Sequence, residues 1–248
     1  MLSAFGGGQV LGARHGRPPA RVVALHGWER THADFDRVLE GLDAIAPDLP
    51  GFGATAAPDE AWGSPEYAEA LIPVLEAEGR PVVLVGHSFG GRVALILAAA
   101  RPDLVDALIL TGVPLLRPAG SIAPKPSRSL RLAKALNRVG LVSAARLERR
   151  RRRSGSPDYQ RATGVLRGVF VRVVNETDDG TYVRALGAVE CPIELIWGEN
   201  DTAATVAVAE AAAALAPGSK LTRLAGVGHL TPTEAPDELR AAVERHLT

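Results

Sequence analysis

Five residues, Gly86-His87-Ser88-Phe89-Gly90, sit between an apolar strand-like run and an apolar helix-like run, and they limit the fold more tightly than any other stretch of the chain. Ahead of them, Pro81-Val82-Val83-Leu84-Val85 is short, β-branched and bounded by Pro and Gly, the pattern of a buried strand. Behind them, Gly91 to Ala100 reads as a helix that stops before Pro102. A strand passing straight into a helix turns sharply and projects the central serine from the top of a sheet. Such a turn brings backbone close to backbone, so Gly86 and Gly90 are small for steric reasons. The helix N-terminus adds positive partial charge beside the hydroxyl.

Strand-like and helix-like segments alternate through the remainder. Arg21 to Leu25 reads as a strand running into His26-Gly27-Trp28, and residues near Thr31 to Leu42 as a helix with Thr31 as its cap. Ala44 to Asp48 reads as a short strand, ending in the turn Leu49-Pro50-Gly51-Phe52-Gly53. Pro65 to Glu78 follows as a helix capped by Ser64. Later strands are expected at Asp106 to Thr111, Cys191 to Gly198 and Lys220 to Leu224, with helices near Ala203 to Leu215 and Asp237 to Leu247. This order predicts an α/β fold with a mostly parallel sheet and helices on both faces. A chain of 248 residues suits one such domain, or one with a small insert.

The alternation breaks after Pro114. Core segments are expected at residues 1–114 and 187–248, with 115–186 as a helical cap inserted over the carboxyl edge of the sheet. That stretch carries 16 basic and 5 acidic side chains, including the run Arg149 to Arg153, in a chain whose net charge is zero. Two readings stay open: a solvated helix face that balances an acidic core, or attraction of an anionic or carrier-bound partner. The zero balance gives no reason to expect binding to nucleic acid or membrane. The N-terminus lacks a basic region followed by an apolar stretch, and no apolar run approaches a membrane span, so a cytoplasmic location is expected. The single cysteine, Cys191, excludes an intramolecular disulfide and reads as a buried structural thiol at a strand start.

A serine hydroxyl becomes a useful nucleophile only when a base takes its proton, and that base is usually a histidine oriented by a carboxylate. Of six histidines, His229 stands in the Gly-rich turn Gly226-Val227-Gly228-His229-Leu230, between the last strand and the last helix. Asp201 lies in the loop Gly198-Glu199-Asn200-Asp201-Thr202, after the strand ending at Trp197, and also suits capping of the next helix. Glu199 competes for the carboxylate position. His87 reads as structural, pointing away from the serine.

At this point the chain resembles the α/β-hydrolase superfamily, in its single-cap branch of esterases and related serine hydrolases. Carrying the resemblance are Leu25-His26-Gly27-Trp28, Asp48-Leu49-Pro50-Gly51-Phe52-Gly53, Gly86-His87-Ser88-Phe89-Gly90-Gly91, Trp197-Gly198-Glu199-Asn200-Asp201 and Gly228-His229. The order Ser88, Asp201, His229 is the one this family uses, and Asp201 stands where it places its acid. The resemblance implies an eight-stranded, mostly parallel sheet, a Ser-His-Asp triad, no cofactor and no metal. It also implies an oxyanion hole from the Phe89 and Trp28 backbone N–H groups. His26, Trp28 and Phe170 are the expected substrate-binding side chains, and His26 also reads as a brace that holds its loop through hydrogen bonds. His26-Gly27-Trp28 is similar to the opening of pimeloyl-carrier-protein methyl ester esterases, though unrelated members share the tripeptide.

A serine esterase acting on a small-molecule ester is the activity implied. Ser88 argues against haloalkane dehalogenases and epoxide hydrolases, which use an aspartate nucleophile. Carbon–carbon bond hydrolases, perhydrolases and acyltransferases share the triad and stay open, as does a non-catalytic binding protein acting through the basic cap.

Overall fold

A computed structural model describes residues 2–117, 136–137, 142–143, 146 and 157–247. Eight strands form one sheet: β1 (Leu2–Phe5), β2 (Val10–His15), β3 (Val22–Leu25), β4 (Ala44–Pro47), β5 (Val82–His87), β6 (Val105–Thr111), β7 (Ile193–Gly198) and β8 (Lys220–Leu224). Their spatial order is β1-β2-β4-β3-β5-β6-β7-β8. The pairs β1/β2 and β2/β4 are antiparallel and all the others parallel. The mostly parallel sheet expected from the alternation is therefore present.

Helices cover both faces. Among the described residues they are α1 (Asp36–Leu39), α2 (Ser64–Glu76), α3 (Phe89–Ala100), α4 (Pro157–Arg161), α5 (Gly164–Asp178), α6 (Thr181–Leu186), α7 (Val206–Leu215), α8 (Thr231–Glu234) and α9 (Pro236–Glu244). One face buries Leu25, Leu84, Leu108 and Leu195 with Leu71 of α2, Leu95 of α3 and Ala209 of α7. The other buries Val22, Val83, Ile109 and Ile196 with Val38 of α1 and Leu239 of α9. Strands buried on both faces need continuous apolar runs, and β3 to β6 have them.

The chain runs from β3 outward to β4, then returns across the sheet to β5 and onward to β6, β7 and β8. The order reverses between β3 and β5, whose carboxyl ends are neighbours (Leu25 is in register with Gly86). Open α/β sheets bind ligands in the crevice such a reversal leaves.

Several local expectations need correction. The helix expected near Thr31 to Leu42 is a 3-10 turn (His32–Phe35) followed by the single turn α1. The start is pinned to the sheet edge, because Asp48 accepts from both the backbone N–H (2.8 Å) and ring Nδ1 (2.9 Å) of His32. Gly63, not Ser64, caps α2; its N–H donates to Glu66 Oε2 at 2.8 Å. Cys191 lies two residues ahead of β7 and is half-buried, and burial pushes its thiol up to about 11.

Between β6 and β7 the described chain supplies α4, α5 and α6. Arg161 of α4 pairs with Glu29 at 2.7 Å, and Arg172 of α5 pairs with Glu66 of α2. These two arginines meet carboxylates from the acidic remainder of this same chain. The run Arg149 to Arg153 lies outside the described residues. A buried network ties the insertion down more firmly. Glu176 of α5 accepts from the Ser64 N–H with both carboxylate oxygens (3.1 Å each) and from the Tyr182 hydroxyl (2.7 Å). Among the described residues, no helix is long and apolar enough to cross a membrane.

Candidate active site

Ser88 has φ 51° and ψ −113°, a left-handed backbone that a side-chain-bearing residue adopts at a cost. The fold holds it there from three sides. Its N–H donates to Thr111 O of β6 (3.0 Å), its carbonyl accepts the Gly91 N–H (3.1 Å), and the Gly90 N–H donates to His26 O (3.0 Å). The small residues are required by contact. A Cβ at Gly86 would stand 2.4 Å from Gly91 Cα, and one at Gly90 2.3 Å from Leu25 O.

His229 Nε2 lies 3.1 Å from Ser88 Oγ, and its Nδ1 lies 2.8 Å from Asp201 Oδ2. Asp201 is buried (3% exposed), and its second oxygen accepts the N–H groups of Ala203 and Ala204 at 2.8 Å each. That turn delays the next helix, so α7 starts at Val206 with Thr205 as its cap rather than Asp201. Glu199 is exposed and its backbone pairs with Leu224, so it does not compete for His229. The structure thus brings together Ser88 from the end of β5, Asp201 from the end of β7 and His229 from the turn after β8. The acid and base loops lie backbone to backbone: a Cβ at Gly198 would stand 2.3 Å from Gly228 O.

Trp28 and Phe89 flank the serine. Neither backbone N–H has a hydrogen-bond partner within the described residues. The Trp28 ring meets Phe52, Phe89 and Phe170 edge-on at 5.0, 5.5 and 5.2 Å. A cavity of about 190 Å³ opens here, walled by Trp28, Ser88, Phe89, Arg92, Phe170 and His229 among others. Phe170 stands on α5, so that helix forms one wall of this cavity.

His26, expected among the substrate-binding residues, is instead fully buried. Its Nδ1 donates to Gly27 O (2.8 Å) and its Nε2 accepts the Leu49 N–H (2.9 Å), which fastens the Trp28 loop to the turn after β4. Desolvation lowers its pKa and keeps it in the neutral form these two bonds need. Both ring nitrogens are used inside the protein, so none reaches a ligand.

Two residues that sequence reasoning missed support the site. Glu234 of α8 accepts the N–H groups on either side of the base, from Gly228 and from Leu230 (3.2 Å). An acidic residue in the first helical turn after a Gly-rich segment was the available signal. Arg92, one turn beyond Ser88, is buried and donates to Pro114 O, Val173 O and Thr177 Oγ1, which joins α3 to the loop after β6 and to α5. A lone Arg in an apolar helix gave no indication of these partners.

With this geometry established, known proteins give the kinship. Lipase LipV of Mycobacterium tuberculosis is 47% identical over 98 residues, which is 37% of this chain and 36% of that protein. The chain therefore aligns with about a third of that lipase's length. The pimeloyl-[acyl-carrier protein] methyl ester esterase of Aromatoleum aromaticum is 29% identical over 90% of this chain and 96% of its own. The thioesterase domain from the curacin biosynthetic pathway superposes with a TM-score of 0.70 over 98% of both chains at 21% identity, a likeness of fold. The sequence profile of the alpha/beta hydrolase family matches residues 22–242, a span that includes Ser88, Asp201 and His229. The chain belongs to the alpha/beta hydrolase family.

Proposed function

We propose that this protein is a carboxylic ester hydrolase that works through an acyl-enzyme on Ser88. The observation that carries the reading is the continuous hydrogen-bonded line from Ser88 Oγ through His229 to buried Asp201. Ser88 Oγ attacks the ester carbonyl carbon while His229 Nε2 takes its proton. Asp201 accepts the Nδ1–H, which fixes the tautomer and stabilises the imidazolium as it forms. The N–H groups of Trp28 and Phe89 are the donors for the oxyanion. The imidazolium then protonates the departing alkoxide. Water, activated by the same histidine, attacks the acyl-enzyme and releases the acid and the free serine.

Helices α4 to α6 act as a cap over this site, with Phe170 as the wall against the acyl group. A space of about 190 Å³ lies below the usual range of roughly 300–1,000 Å³ for ligand pockets, which favours short acyl chains. Hydrolysis of p-nitrophenyl esters from acetate to palmitate tests the reading. Activity concentrated on the short members is expected, with a fluorophosphonate adduct on Ser88 by mass spectrometry. Lack of both turnover and adduct would overturn the proposal. Phe170→Ala should move the chain-length optimum upward by about two to four carbons, since it removes a ring from the cavity wall. An unchanged optimum would remove Phe170 from the acyl site.

A further inference from the structure

We propose that His87 is a positioning residue for the base: its imidazole holds the His229 backbone, and through it the His229 ring, within reach of Ser88. The inference rests on the reading of Ser88, His229 and Asp201 given above. His87 is 1% exposed and occupies the last position of β5, next to the serine. Its Nε2 lies 2.8 Å from the carbonyl oxygen of His229. A carbonyl can only accept, so Nε2 carries the proton and the ring is the neutral tautomer with a bare Nδ1. Burial, and then the neighbouring His229, push its pKa down to about 4, so the ring stays neutral through the range in which an esterase works.

Nδ1 has no hydrogen-bond partner among the described residues. It faces Gly27, where a Cβ would stand 2.9 Å away. An apolar side chain would fill this space without burying a polar nitrogen, so packing alone does not account for an imidazole here. The bond to His229 does. One backbone group on each of three successive residues of the His229 turn is fixed: Glu234 accepts the N–H groups of Gly228 and Leu230, and His87 donates to the carbonyl of His229. The bonds to Glu234 hold the turn against α8. The bond to His87 instead ties it to the covalent neighbour of the nucleophile, and so bears on the 3.1 Å separation of Ser88 Oγ and His229 Nε2. The two imidazole rings are 5.1 Å apart, and a neutral His87 does not oppose the charge His229 takes on in each cycle.

His87→Leu keeps apolar bulk and removes the donor, whereas His87→Gln keeps an N–H donor at similar reach. In steady-state ester hydrolysis, His87→Leu should lower kcat by roughly 10- to 100-fold, the range for a misplaced catalytic group, with KM unchanged. His87→Gln should return kcat to within about threefold of the wild type. Unfolding temperatures of both variants, measured alongside, separate positioning from packing. Equal loss of kcat in Leu and Gln variants of equal stability would overturn the proposal, and so would full activity in His87→Leu. Proton NMR gives a readout independent of turnover: the far-downfield His229 Nδ1 proton should be sharp in the wild type and in His87→Gln and broadened in His87→Leu. An unchanged signal in His87→Leu overturns the proposal. A wild type that shows the signal and its loss in His87→Leu, yet hydrolyses no ester, would overturn the esterase reading and leave the positioning role standing.

Discussion

Ser88→Ala should lower kcat by about 10⁴- to 10⁶-fold, because removing one member of a serine triad costs about as much as removing all of them. Among the described residues the bond from Oγ to His229 Nε2 is the only side-chain hydrogen bond the substitution takes away. Thermal unfolding should therefore stay close to the wild type while ester hydrolysis and fluorophosphonate labelling both disappear. The residual rate should still exceed that in water, since the N–H groups of Trp28 and Phe89 are untouched. A Ser88→Ala protein with substantial turnover would exclude the acyl-enzyme route.

Arg92→Met should have the largest effect on stability, about 3–5 kcal/mol, or a fall of roughly 10 °C in the unfolding temperature of a chain this size. The guanidinium is 6% exposed and donates to Pro114 O at 3.1 Å through Nε, to Val173 O at 2.9 Å through Nη1 and to Thr177 Oγ1 at 3.0 Å through Nη2. It also lies over the Tyr182 ring at 5.1 Å. Methionine fills most of the volume but takes the donors from Pro114 O, leaves Val173 O with only the Tyr182 hydroxyl at 3.3 Å, and removes the cation beside Glu176. Arg101 makes the fitting control. Its ion pairs to Glu76 and Asp103 are on the surface, and Arg101→Met should shift unfolding very little. Circular dichroism melts of both variants decide the matter; equal, small shifts would mean that Arg92 does not hold α5 to α3.

What the sequence made legible follows from how local each signal is. Strands β3 to β7 were readable because they are mostly apolar runs set off by Pro, Gly and polar turns, β8 because it lies between two helix-like segments, and the turn at Ser88 because strand, serine and helix are contiguous. The hairpin β1/β2 was not placed. Leu2–Phe5 is mostly exposed, and Val10–His15 mixes apolar residues with Gly12 and Arg14, so neither carries a clear buried pattern. Gly12 is there because β4 runs against it, with a Cβ standing 2.3 Å from Ala46 O, a constraint that exists only after pairing. Within the site, Ser88, Asp201 and His229 stood out through their loops and their order. The partners of His26, Arg92 and Glu234 did not, since those bonds join segments far apart in sequence or need the exact course of a turn. For His26 the bracing reading held and the substrate-binding one did not: a histidine beside an expected oxyanion donor looks ligand-facing until both its nitrogens are found occupied.

His229 stands in the turn after β8, which among the described residues is the outermost strand of the sheet on that side and is paired only with β7. The residues of β8 are partly or fully exposed, whereas those of β3 to β7 are buried apart from Asp106. An edge strand of this kind opens at lower free energy than the strands it flanks. Catalysis should therefore be the first property lost on denaturation, with hydrolysis failing at urea concentrations where the far-ultraviolet spectrum is still native. Coincident midpoints for activity and spectrum would instead mean that the edge is as firmly held as the centre. Separate midpoints give the protein a switch-off point set by its weakest strand, well inside the conditions its core survives.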